Sequence, residues 1–174
     1  NRNLTVDEVR VGTLVNNFFY GSLGVSATKG YTMGGITSPS STRNTIDDFP
    51  FASDANASDT GDLTSVNHYL SGQSSPTHGY TSCGNTGTPS SITLSDIIQR
   101  IPFSSDTNAS DVGDATVARR AGAGQSSRSH GYTSGGTTGS YSDVIDKFPF
   151  ASDTTNASDV GNLTVAIAFQ AGQS

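Results

Sequence analysis

The side chains of this chain that could do chemistry are concentrated in three acidic loops. Asp106-Thr107-Asn108-Ala109-Ser110-Asp111-Val112-Gly113-Asp114 offers oxygen ligands at alternating positions, with a glycine for a tight turn. Calcium loops gather about six to eight hard oxygen ligands in this way. Two further copies supply Asp54, Asn56, Ser58, Asp59 and Asp62, and then Asp153, Asn156, Ser158 and Asp159. The last copy carries an extra Thr that breaks the alternation, and none has the bidentate Glu of the helical calcium hand. Asp, Asn and Ser also make ordinary turns between strands with no metal, and turn chemistry is the favoured reading. Calcium on Asp54, Asn56, Asp59, Asp106, Asn108, Asp111, Asp153, Asn156 and Asp159 is the alternative. The same Asn-Ala-Ser tetrads read as glycan acceptors, but they recur in step with one another, so one structural cause covers all three.

Other reactive types are sparse. His78 and His130 each precede Gly-Tyr, where another copy has Lys29; no carboxylate or thiolate stands at a spacing that would make either a base or a metal ligand. The glycine-rich segments lack the Lys-Ser/Thr ending of a phosphate loop and read as turns. Cys83 is the single cysteine, so it has no partner for an internal disulfide or a redox pair, and it fills a slot held elsewhere by Gly. Tyr31, Tyr80 and Tyr132 either pack between repeats, the favoured reading, or form a ligand face that stacks on sugar rings.

The elements that position these groups are short. Of 174 residues only 32% are hydrophobic and 14% charged, which leaves no material for long amphipathic helices and points to strands joined by many turns. Phe, Tyr, Val, Ile and Thr return at fixed places, the opposite of a disordered composition. A net charge of −6 excludes a surface built to track phosphates, so nucleic acid is not an expected partner. No apolar run approaches the roughly 18 residues of a spanning helix, so membrane insertion is not expected either.

The chain is an internal repeat. Gly30-Tyr31-Thr32-Met33-Gly34-Gly35 returns as Gly79-Tyr80-Thr81-Ser82-Cys83-Gly84 and as Gly131-Tyr132-Thr133-Ser134-Gly135-Gly136, at spacings of 49 and 52 residues. Phe49-Pro50-Phe51-Ala52-Ser53-Asp54 recurs as Ile101 to Asp106 and as Phe148 to Asp153. Gly72-Gln73-Ser74 recurs as Gly124-Gln125-Ser126 and Gly172-Gln173-Ser174. The units run 1–61, an atypical first copy with the apolar cluster Val15 and Phe18-Phe19-Tyr20, then 62–113, 114–161 and a partial fourth, 162–174. In the third copy four strands are predicted: Ala121 to Ser127, Gly131 to Ser134, Ser142 to Phe150, and Val160 to Ala166. Pro149 lacks a ladder donor and marks a strand end or an edge. Phe49, Phe51, Phe103, Phe148 and Phe150, with Ile46, Ile98 and Ile145, are the predicted core.

These residues resemble the kelch repeat: Arg119 or Arg120 near the start, Tyr132 before Gly135-Gly136, then Asp143-Val144-Ile145-Asp146, and a last strand Val160 to Val165. The pattern departs from that family in lacking Trp, and in having His68-Tyr69 and Ile167-Ala168 where the Arg is expected. The form His-Gly-Tyr-Thr-Ser-Gly-Gly followed by Phe-Pro-Phe-Ala-Ser-Asp is similar to repeats in virion and tail-fibre proteins of marine bacteriophages. The resemblance implies an all-β fold of kelch-like four-stranded repeats, part of a β-propeller or a repeat array. A threefold β-prism or β-trefoil is the alternative architecture. Propellers close with about four to eight blades, so three and a half copies either assemble with other chains into a ring or fibre or are a portion of a longer protein. The expected function is that of a non-enzymatic structural or receptor-binding module of a virion appendage or surface fibre, extracellular or in the virion. It would partner with itself, other virion proteins or a cell-surface glycan. A carbohydrate-binding lectin is the second reading, and a propeller enzyme the third.

Overall fold

A computed structural model describes residues 28–37 and 41–174. The described residues are all-β, eleven strands in three antiparallel sheets with no helix. The first sheet has three strands in the order β1 (Lys29–Thr37), β2 (Ser41–Pro50) and β3 (Ser58–Asp62). The second has four: β4 (Ser71–Ser74), β5 (His78–Ser82), β6 (Ile97–Pro102) and β7 (Ser110–Asp114). The third repeats it with β8 (Ala123–Ser126), β9 (His130–Ser134), β10 (Val144–Pro149) and β11 (Ser158–Asn162). Each is a meander whose strands pair in chain order. Each sheet therefore lies within one sequence unit except for its last residue (Asp62, Asp114 or Asn162), and every complete sheet opens on a Gly-Gln-Ser strand and closes on the acidic one.

Registers repeat as well. His78 opposes Pro102 and His130 opposes Pro149, so Pro149 closes a central strand at its end. In every sheet the last pair shifts by one residue, between Ile46 and Asp47, Ile98 and Gln99, and Ile145 and Asp146. The extra residue lies on the acidic strand at Thr60, Val112 and Val160. A bulge turns the side chain out of the pleat, and at Val112 it drives the side chain into the next sheet. The predicted strand over Val160 to Ala166 is displaced: β11 spans Ser158–Asn162, and just beyond it the amide of Leu163 bonds to Asp143 O, the residue opposite.

The sheets meet through two apolar joints. Ile46, Leu63 and Ile101 form the first, with Tyr31, Met33, Leu70 and Ala109 against them; Tyr80, Ile98, Val112 and Phe148 form the second, with Phe150 and Ala157. Each fully buried Ile or Phe contributes about 1.5–3 kcal/mol. Phe49 and Phe51 differ from the predicted core. They are 36% and 59% exposed, whereas the equivalent Phe148 is 2% exposed. Those rings pack backward onto the preceding sheet, and among the described residues no sheet precedes the first.

Candidate functional site

The acidic loops work across the joints. Asn108 Oδ1 accepts the amide of Asp62 at 3.0 Å, and Asn156 Oδ1 accepts that of Asp114 at 3.1 Å. The following alanines return the bond, Ala109 N to Asp62 O and Ala157 N to Asp114 O. Each Asn therefore staples its repeat to the one before. Asp59, Asp111 and Asp159 accept the amides of Gly61, Gly113 and Gly161 two residues on, which is turn chemistry. Asp153 pairs with Arg100 across the second joint, and Asp106 stands 3.8 Å from Lys29 across the first. Asp54, at the same place in the first sheet, has no ion pair among the described residues and lies, like Asn56, on an exposed loop. Among the described residues no three His, Cys, Asp or Glu side chains group to hold a metal. Burial, and then the carboxylates of Asp96 and Asp111, push the pKa of Asp114 up.

Two of the three tyrosines fall into the joints. Tyr80 is buried with its ring stacked on Phe150 at 4.7 Å, and Tyr31 stacks on Phe103 at 5.2 Å, while Tyr132, half-buried, occupies the same slot in the third sheet. Packing occupies the face of Tyr80 that a sugar would need. His78 and His130 bond Thr77 and Ser129 through Nδ1. Burial and then Arg100 hold the pKa of His78 below its usual value, against Asp153. Cys83 has φ 64°, matching Gly34 and Gly135 at 65° and 64°, so its slot is a left-handed turn position that glycine fits. Burial pushes its thiol up to about 12, which leaves it unreactive.

A groove of about 530 Å³ runs along the three Gly-Gln-Ser segments, with Lys29, Tyr31 and Phe51 on its other wall. The segments approach closely: a Cβ on Gly124 would overlap Gly72 O, and one on Gly172 would overlap Gly124 O. Glycine is required there by space, at the convergent edge of the stack. Gln73 Nε2 lies 2.8 to 3.0 Å from Ser82 Oγ in its own sheet and from Tyr132 O and Thr133 Oγ1 in the next.

Sequence reasoning missed a flank that precedes the Gly-Gln-Ser segments in the chain and lies outside the lining of the groove. Tyr69, Ala121 and Phe169, each three residues before a Gly-Gln-Ser glycine, have φ of 59°, 56° and 62°. The left-handed region is uncommon for residues with a Cβ, and strain of this kind is found at binding sites. Tyr69 and Phe169 are exposed and meet edge to face at 6.0 Å, with the Arg120 guanidinium 5.4 Å above Tyr69. The signal lay in the fixed offset from the glycine, but the φ that makes it informative is invisible in sequence.

Compared with known proteins, the chain matches no family model and no curated relative.

Proposed function

We propose that this chain is a non-enzymatic structural and receptor-binding repeat module of a virion appendage or surface fibre, its sheets serving as kelch-like blades of a propeller-type array. The observation that carries this reading is the assignment of its polar side chains. The Asn staples recur at both joints, and Gln73 and the buried Arg119 add further bonds from one repeat to the next. Chemistry spread evenly over repeats suits a scaffold that presents a surface many times. Its partners would be other virion proteins, further copies of itself, or a cell-surface glycan, in an extracellular or virion setting.

The aromatic flank favours glycan as the receptor class, because an exposed ring beside a guanidinium suits the apolar face and hydroxyls of a sugar. A glycan array tests it. Saturable binding that Tyr69→Ala and Phe169→Ala both weaken at least tenfold is the expected result; binding to no glycan would leave the scaffold role alone. A melting temperature raised by Ca²⁺ and lowered by chelator would reassign the acidic loops to metal.

A further inference from the structure

We infer that the outer face of the third sheet is the docking site for the first sheet of a second copy of this chain, head to tail, in the geometry of the internal joints. The inference rests on the repeat-module reading and names the partner surface it requires.

The last repeat exposes what the others bury. Val112 is 6% exposed in the second joint and its equivalent Val160 is 47% exposed; Ile167, equivalent to the fully buried Arg119, is exposed too. Gly113 has the Thr155 carbonyl of the following repeat where a Cβ would stand, and Gly61 has that of Thr107, while at Gly161 the space is open. The first repeat is the complement. Phe49 and Phe51 stand exposed where Phe148 and Phe150 fill the second joint, and among the described residues Gly72 has open space where Gly124 and Gly172 each meet the preceding Gly-Gln-Ser. The first sheet has three described strands, and the chain's last three described residues, Gly172-Gln173-Ser174, pair with no strand.

Register turns this into named pairs. Phe49 and Phe51 pack on Tyr132, Ile145 and Val160, as Phe148 and Phe150 pack on Tyr80, Ile98 and Val112. Asn56 accepts the amide of Asn162, as Asn108 and Asn156 accept those of Asp62 and Asp114. Lys147 pairs with Asp54, as Arg100 pairs with Asp153; neither Lys147 nor Asp54 has an ion-pair partner among the described residues. This charge match argues for a second copy as the occupant. Thr164 donates to Asp47, as Thr116 does to Asp146. At one position the match is incomplete: Ile167 cannot supply the guanidinium that Arg119 gives Asp146, so this joint is weaker than the internal ones and reversible. The two faces differ, so the contact is heterologous and propagates to a ring or a filament.

The test is sedimentation equilibrium of the full chain and its variants over a hundredfold range of concentration. The parent should form a concentration-dependent series beyond dimer. Phe51→Asp and Val160→Asp alter exposed side chains and should each be monomeric with an unchanged circular dichroism spectrum. Mixed in equal amounts they should give a one-to-one dimer and nothing larger, since each retains one intact face. Ile167→Arg should tighten association at least fivefold. A parent that stays monomeric, with Phe49 and Phe51 protected from labelling, would place the chain's own residues 1–27 on that face and overturn the inference. So would variants that still associate, or a mixture that does not pair. A monomer that keeps β structure and glycan binding sinks only this joint; loss of β structure in the parent would sink the repeat-module reading itself.

Discussion

The two internal joints hold one backbone arrangement with different electrostatics. In the first, Thr64 donates through its amide and hydroxyl to Gln99 Oε1 at 2.7 and 2.9 Å, and Asn67 Nδ2 reaches Cys83 O at 3.0 Å. In the second, Thr116 makes the same two bonds to the Asp146 carboxylate, and Arg119 donates to Asp146 and to Thr133 O. Neutral amides stand where an ion pair stands one repeat later, and Gln99, Asn67, Asp146 and Arg119 are all fully buried. Neither solution is complete, since Asn67 Oδ1 and Arg119 Nε have no hydrogen-bond partner among the described residues. The difference teaches that the geometry asks only for an acceptor facing the Thr and a donor behind it; charge is one way of supplying them.

The largest effect should follow from removing half of the ion pair. Arg119→Met leaves the Asp146 carboxylate buried and uncompensated, at a cost of about 3–5 kcal/mol in urea unfolding. Rewriting the second joint as the first, with Arg119→Asn and Asp146→Gln together, should return stability to within about 1.5 kcal/mol of the parent, the scale of one neutral hydrogen bond. A double variant no better than the single one would mean that the charge itself is required. In the neutral joint, Gln99→Leu strands the Thr64 amide and hydroxyl, for a loss of about 1–3 kcal/mol by the same measurement.

Cys83, whose carbonyl closes the first joint, separates backbone strain from packing. Cys83→Gly should leave the melting temperature nearly unchanged, while Cys83→Val places a β-branched side chain at φ 64° and should cost about 1–3 kcal/mol.

The smallest effect is the acid sensitivity that His68 contributes beside the first joint. Burial, then Arg120, lowers the pKa of His68 from 6.5, against a backbone bond from Asn85. The folded state therefore binds protons less readily than the unfolded one. Stability is complete above about pH 6.5 and falls as the pH drops below it toward the lowered value. His68→Asn should flatten the decline in melting temperature between pH 7.5 and 5.5. The equivalent residue at the second joint is Arg120.

Much of the fold was legible in the sequence. Strands in the third repeat fall within about two residues of the prediction except the last, which carries the bulge at Val160 and ends at Asn162 instead of Ala166. The candidate site was legible only as composition. Asn108 and Asn156 were visible as loop oxygens, but not that they staple to an amide 46 and 42 residues back. Tyr80 was visible as one of three equivalent rings, but not that Phe150 covers it.

By itself the sequence determined the period, the all-β character, the strand order and the slots that need glycine, because turn and strand preferences act over a few neighbouring residues that every copy repeats. Only the tertiary structure decided which of several identical residues is buried. Phe148 and Phe49 carry the same local signal, as do Val112 and Val160, and each pair is split between interior and surface. Burial depends on whether a neighbouring repeat is present, and that is a property of the stack that no single copy encodes.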